Sequence, residues 1–152
     1  MMSVAPPTHT AQLVNSLSDI PRADWDRLAN PLDQPFHPFL AYDFLASLEQ
    51  SGSVSAAAGW VPRHLVISQA DEIIAAAPLY LKGHSQGEYI FDHAWADAYT
   101  RAGGEYYPKL LCSVPFTPVP GPRLLAKDES ARALLIDALR GATSQMGISS
   151  LH

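Results

Sequence analysis

The chain has 152 residues, 47% hydrophobic and 16% charged, which is the size and composition of one globular domain. A net charge of −5 and ten scattered Lys and Arg residues argue against nucleic acid as a partner of this portion. The single cysteine, Cys112, excludes an internal disulfide or cysteine zinc site, and no apolar run is long enough to span a membrane. We therefore predict a soluble, cytoplasmic protein.

The first 52 residues predict a tail, a strand and two helices. Residues 1–10 are rich in Pro and Thr and predict a flexible tail, and a first strand is predicted in AQLVNSL, from Ala11. Residues 19–29 combine an acidic N-cap candidate with apolar residues at helical spacing. Residues 38–50 show the same spacing and are followed by Gly52, so each of these two segments predicts a helix.

The middle of the chain predicts strands. A β-hairpin is predicted from two apolar runs, HLVIS and EIIAAAPLYLK, with Pro78 marking a bulge or an edge position because proline cannot donate to a ladder. A short strand is predicted in EYIFD, a helix in ADAYTRAG and a buried strand in YYPKLLCSVP.

The last third of the chain predicts one rigid loop and one helix. Regular structure is excluded from PFTPVPGP, because its four prolines remove four backbone donors. Apolar residues recur at i, i+3, i+4, i+7 and i+8 over residues 131–139 and predict a helix, with Asp128 as its N-cap and Gly141 or Gly147 beyond its end. A new apolar piece, ISSLH, follows and predicts the start of another strand.

The densest polar cluster is Asp92-His93-x-Trp95-x-Asp97, with His84 and Glu88 upstream. Carboxylates and histidines bind divalent metals, but no HExxH motif is present, and we predict no metal. The Gly-x-Ser-x-Gly elbow of hydrolases and the phosphate-loop and dinucleotide fingerprints are also missing from the sequence.

Further candidates follow this cluster. Tyr106 and Tyr107 offer phenols for proton transfer, or bury their rings and expose only the hydroxyls. Lys109 offers an ammonium for an anionic substrate group. Arg123 follows the stiff PFTPVPGP loop, which suits it to meet a carboxylate or phosphate.

Three strings carry a family resemblance: AAAPLYLK, GHSQGEYIFDHAWADAY and YYPKLLCSVPFTPVPGPRLL. Together with the turn at residues 37–39 and the terminal SSLH, they resemble bacterial predicted N-acyltransferases related to the Fem-type peptidoglycan aminoacyl transferases. The similarity covers residues 19–152. It implies an α/β (α+β) fold of the GCN5-related acetyltransferase (GNAT) type, with a mixed, largely antiparallel sheet flanked by helices. It also implies that residues 11–152 are the N-terminal part of a longer domain.

The resemblance implies transfer of an acyl or aminoacyl group to an amine, on a small molecule or a peptide. The implied donor is an acyl-CoA such as acetyl-CoA, bound largely outside this chain, and an aminoacyl-tRNA donor stays open. We take Asp92, His93 and Tyr107 as candidate catalytic residues, with Glu88 as a further candidate base. The expected substrate-binding residues are Trp95, Lys109, Phe116 and Arg123. The alternative function is a non-catalytic module that holds a peptide or glycan in the same aromatic cleft.

Overall fold

A computed structural model describes residues 8–152, in which strands and helices alternate along the chain. The predicted tail falls mostly on residues 1–7, which lie outside the described residues. The first strand begins at His9, two residues before the predicted start. The elements in chain order are β1 (His9–Val14), α1 (Arg22–Ala29), α2 (Tyr42–Gln50), β2 (Trp60–Pro62), β3 (His64–Gln69), β4 (Glu72–Ala77), β5 (Leu79–Lys82), α3 (His93–Arg101), β6 (Lys109–Cys112), β7 (Leu125–Ala126) and α4 (Glu129–Gln145).

The strands form two antiparallel sheets. The larger has the order β1-β3-β4-β7 and the smaller has the order β2-β5-β6. Residues 150–152 run parallel to β6, where the Leu110 N–H donates to the Ser150 carbonyl at 3.0 Å and the Cys112 N–H donates to the His152 carbonyl at 2.7 Å. The predicted α+β class is confirmed, with the strands divided between two sheets.

The predicted hairpin is confirmed and connects the two sheets. In the larger sheet β3 pairs with β4, with Leu65 opposite Ala77, and in the smaller sheet β2 pairs with β5. Pro78 lies between β4 and β5, where its missing N–H interrupts the ladder and the chain passes from one sheet to the other. The register shift in the hairpin lies at Ile67 and Ser68, away from the proline.

Helices cover both faces of the larger sheet. Alternate residues of a strand point to opposite faces, so Val66 packs in one apolar cluster with Trp25 of α1 and Leu45 of α2. Its neighbour Leu65 packs in a second cluster with Leu135 of α4. Full burial of each large apolar side chain contributes about 1.5–3 kcal/mol, so these two clusters hold the sheet between its helices.

A buried hydrogen-bonded pair holds α2 at the junction of the two sheets. The fully buried His64 ring accepts the Leu79 N–H on Nδ1 at 3.2 Å, so its Nε2–H donates to Glu49 of α2 at 2.7 Å. Burial by itself would raise the pKa of Glu49, but hydrogen bonds from His64 and from the Leu17 N–H lower it. The pair therefore favours an ionised carboxylate.

The helix ends largely agree with the sequence predictions. Asp128 caps α4 by accepting the Ala131 N–H at 2.8 Å, and α4 runs through Gly141 and ends before Gly147, whose φ is +63°. The helix predicted over residues 19–29 begins only at Arg22. The helix predicted over residues 38–50 begins with a 3₁₀ turn and becomes α2 at Tyr42.

The strand predicted for EYIFD is wrong. Residues 88–92 form part of an irregular segment, which we call the 83–92 loop. The side chains of Ile90 and Phe91 are 77% and 57% exposed, while Glu88 and Asp92 turn inward to Lys109. Buried ion pairs therefore set the path of this segment. Strand β7 was not predicted, because two residues are too few for a periodic signal.

Within residues 8–152, no helix combines the length and the apolar character that crossing a membrane requires.

Candidate functional site

A cavity of about 490 Å³ opens beside β6, between the 83–92 loop and residues 115–122, which we call the proline loop. This volume lies within the range of small-ligand sites. Its wall is mostly aliphatic and contains five ionisable residues. The lining residues are Glu88, Ile90 and Asp92 from the 83–92 loop, Lys109, Leu111, Ser113 and Val114 from β6 and its extension, Thr117, Pro118, Val119 and Pro120 from the proline loop, and Arg123 and His152.

A buried ion-pair cluster forms the polar end of this cavity. The Lys109 ammonium lies 2.9 Å from Glu88 Oε2 and 2.8 Å from Asp92 Oδ2, and it donates to Ser85 Oγ at 3.5 Å. The exposed fraction of the side chain is 1% for Lys109, 7% for Glu88 and 14% for Asp92. An ammonium has three N–H donors, so Lys109 uses all of them on the protein.

The ion pairs shift the pKa values of both partners away from neutrality. Burial would raise the pKa of Asp92, but hydrogen bonds from Lys109, Ser85 and Tyr106 hold it well below its usual range. Burial would lower the pKa of Lys109, but the hydrogen bonds to Asp92 and Glu88 raise it. Asp92 is therefore ionised and weakly basic at neutral pH, and Lys109 stays charged.

A hydrogen-bond network leads from Asp92 to the cavity wall. The hydroxyls of Ser85 and Tyr106 donate to Asp92, and the Tyr107 hydroxyl lies 2.5 Å from that of Ser85. His152 Nε2 lies 3.3 Å from the Tyr106 hydroxyl. Burial, together with the positive charge of Lys109, lowers the pKa of His152. The imidazole is therefore a neutral base at physiological pH.

A second buried lysine lies behind the cluster. Lys82 is opposite Lys109 in the pairing of β5 with β6, and its ammonium lies 3.8 Å from the centre of the Trp60 ring. It donates to the Gln86 carbonyl at 2.8 Å and lies 3.9 Å from Glu88 Oε1. The pKa of Lys82 is lowered to about 8, mainly by burial, with the negative charge of Glu88 opposing the shift and the positive charge of Lys109 adding to it. Two like charges on opposite strands destabilise a sheet, and the Glu88 carboxylate between them offsets this repulsion.

Arg123 and His37 hold the proline loop. His37 Nε2–H donates to the Pro120 carbonyl at 2.9 Å. Next to that carbonyl, Gly121 has a φ of +146°, and a Cβ there would lie 2.5 Å from His37 Nε2. The guanidinium of Arg123 donates to three loop carbonyls, those of Val119, Gly121 and Pro122, at 2.7, 3.2 and 3.1 Å. The predicted anion-binding arginine thus lies in the cavity wall and directs three N–H groups to its own loop.

The remaining predicted site residues lie outside the cavity wall. His93 is exposed and stacks on Phe91 with ring centres 5.2 Å apart, and Trp95 is 74% exposed on α3. Phe116 packs 5.3 Å from the Trp60 ring. Tyr107 reaches the site only through Ser85. The expected aromatic cleft is an aliphatic cavity, because α3 buries Ala96 and directs its aromatic residues to solvent.

Sequence reasoning did not assign Lys82, Ser85 or His152 to this site. Lys82 ends an aliphatic run and Lys109 begins another, and a charge at the end of an apolar strand was the available signal. The contact of His152 with this site had no local signal, since Tyr106 lies 46 residues away in the chain. Among residues 8–152, no three His, Cys, Asp or Glu side chains are grouped as a metal site would require.

Comparison with known families identifies the chain. Residues 16–152 match the family model FemAB_like, described as peptidoglycan biosynthesis/recognition. The chain belongs to the FemAB-like family. This confirms the resemblance found in the sequence, and the FemAB-like family implies peptidoglycan-related transfer of amino acids. Comparison with curated proteins and with solved structures gave no match.

Proposed function

We propose that this FemAB-like chain binds the amine acceptor of an acyl or aminoacyl transfer reaction in the cavity beside Lys109. The observation that carries the proposal is the position of the His152 imidazole on the wall of a cavity whose polar end is a buried ion pair. Family membership supplies the peptidoglycan context. A cavity of about 490 Å³ accommodates the end of a peptide side chain or a small amine.

In this proposal His152 is the general base. The amine nitrogen attacks the donor's carbonyl carbon, a C–N bond forms, the bond from that carbon to the donor's sulfur or oxygen breaks, and the amine proton passes to the imidazole. The low pKa of Asp92 makes this carboxylate a weak base, so we move the base role from Asp92 to His152. Asp92 and Tyr106 then position the imidazole through the network described above.

The donor belongs to the proposal as well. An acyl-CoA such as acetyl-CoA, used on a GNAT-type fold in the cytoplasm, is the first candidate, and an aminoacyl-tRNA is the second. The net charge of −5 favours the smaller donor, because binding of tRNA relies on basic surface.

A peptide titration followed by a transfer assay tests the proposal. The probe is a synthetic peptidoglycan stem peptide with a free amine, and its N-acetylated form is the control. We expect the free peptide to shift the backbone NMR signals of Leu111, Val119 and His152, and mass spectrometry to detect acylated peptide after addition of acetyl-CoA or aminoacyl-tRNA.

The His152→Gln variant should lose transfer by at least about 100-fold while still binding peptide, as expected for a general base. His9→Gln, an exposed histidine of β1, is the matched control and should leave transfer unchanged. Peptide binding without transfer from either donor would instead support the non-catalytic binding module. Equal shifts from the free and the acetylated peptide would refute an amine site.

A further inference from the structure

The two cations of the cavity wall both donate to protein acceptors. Lys109 directs its three donors to Glu88, Asp92 and Ser85. Arg123 directs three N–H groups to carbonyls of the proline loop. A carboxylate or phosphate at Lys109 would have to displace one of its three contacts and leave a buried protein acceptor without its donor, whereas Arg123 uses three of its five N–H groups on the loop.

The carboxylate oxygens of Asp92 and Glu88 do not all accept a hydrogen bond. Asp92 Oδ1 accepts from Ser85, and its Oδ2 accepts from Tyr106 and Lys109. Glu88 Oε2 accepts from Lys109, but Glu88 Oε1 is buried and receives no hydrogen bond. The Lys82 ammonium lies 3.9 Å from this oxygen, which is too distant to donate.

Lys82 is held away from Glu88 by its own contacts. Its ammonium donates to the Gln86 carbonyl at 2.8 Å and rests on the Trp60 ring. The 83–92 loop therefore buries the Glu88 carboxylate with one oxygen that accepts no hydrogen bond. Glu88 also lines the wall of a cavity that is large enough for a small ligand. Burying an ionised oxygen without a donor is unfavourable, so this site favours a ligand that supplies one.

We infer that Glu88 determines the specificity of the cavity, by accepting a hydrogen bond from an ammonium group of the ligand at Oε1. This inference rests on the proposed function in one respect, that the ligand is an amine. The oxygen is enclosed by protein atoms, so the inference requires the Glu88 carboxylate, which lines the cavity, to turn about its last side-chain bond, whose torsional range is broad.

The rest of the wall fits the apolar part of such a ligand. Leu111, Val114 and Val119 line the cavity, and none of them offers a side-chain hydrogen bond. An alkyl chain packed on these residues with its ammonium at Glu88 leaves no charge of the ligand unpaired. His152 lies on the same wall, where it accepts the proton that this ammonium must lose before the nitrogen can attack.

Three small probes of equal length test this inference on the unmodified protein. We titrate it with n-butylammonium, butyrate and 1-butanol and follow the backbone NMR signals of Leu111 and Val119. We also follow the side-chain carboxyl carbons of Glu88 and of Glu105, which is exposed. Only butylammonium should shift the Glu88 carboxyl signal, and the Glu105 signal should stay in place. Equal binding of butyrate, or an unmoved Glu88 signal during binding of butylammonium, would overturn the inference.

The variant Glu88→Gln keeps the shape of the side chain and removes its charge. We expect its affinity for butylammonium to fall about tenfold, because a charge-assisted hydrogen bond is about twice as strong as a neutral one. Glu105→Gln is the matched control and should bind as the unmodified protein does. If circular dichroism shows that Glu88→Gln does not fold, the carboxyl-carbon titration of the unmodified protein decides the question.

The outcomes separate this inference from the proposed function. Butylammonium binding that depends on Glu88, without transfer to any stem peptide, would refute the enzyme and leave the ammonium site intact. Transfer to the stem peptide with the same KM in Glu88→Gln as in the unmodified protein would refute the role of Glu88 and leave the enzyme intact.

Discussion

Replacing Lys109 by methionine should destabilise the fold strongly, because this lysine is the shared partner of two buried carboxylates. At an effective dielectric constant of about 20, each of the contacts at 2.9 and 2.8 Å corresponds to roughly 6 kcal/mol of attraction. Desolvation of the three charges offsets much of this gain. Removing one partner of a buried ion pair typically costs about 3–5 kcal/mol, and we expect Lys109→Met to lie in this range.

The assay is urea unfolding followed by circular dichroism, and the control is the surface pair of Lys127 with Glu72. That pair is 3.5 Å long and its side chains are 35% and 50% exposed, so Lys127→Met should cost about 0–1 kcal/mol. Adding Glu88→Gln to Lys109→Met should recover part of the loss, because one of the unpaired charges is then gone. Equal losses for Lys109→Met and Lys127→Met would refute the view that the cluster is desolvated.

Three further predictions concern other parts of the fold. Tyr106→Phe should raise the pKa of Asp92, because one of its donors is lost, and should cost about 1 kcal/mol; a carbon NMR titration and urea unfolding measure the two effects. The pKa of Glu49 is lower in the folded state than its ordinary value near 4.5. The stability that the ionised Glu49 contributes is therefore fully present above that ordinary pKa and is lost as the pH falls through the folded-state pKa. Urea midpoints at about pH 5.5 and about pH 3.5 should therefore differ less in Glu49→Gln than in the unmodified protein, and equal differences would contradict the assignment. Gly121→Ala should lower the melting temperature, because the added Cβ would clash with the ring of His37. Gly141→Ala should raise the melting temperature slightly, because this helical position has open space for a Cβ and alanine favours the helix.

Local patterns predicted most of the regular structure. The hairpin of β3 and β4, the helix α4 with its Asp128 cap and the irregular proline loop follow from periodicity, capping and the missing N–H groups of proline. The predicted strand EYIFD failed, because its alternation carries no information on whether a neighbouring strand is available. In the structure its two carboxylates bind Lys109 instead.

The site was predictable in part. Asp92 was chosen from the densest polar cluster, Lys109 as an ammonium for an anionic group and Arg123 because it follows the stiff proline loop, and all three line the cavity. Trp95 and His93 were chosen from the same cluster as Asp92 and face solvent, because the direction of a helix face depends on what the helix packs against.

By itself, the sequence determined the α+β class, the family and the chemical types of residue available, because these depend on composition, periodicity and short motifs. Only the tertiary structure decided which charges meet. The pairing of β5 with β6 places Lys82 opposite Lys109, and the parallel bridge between Leu151 and Leu110 of β6 brings His152 to Tyr106. Contacts between residues far apart in the chain depend on how the strands pair, and burial then sets the pKa values that separate a neutral base from a fixed ion pair.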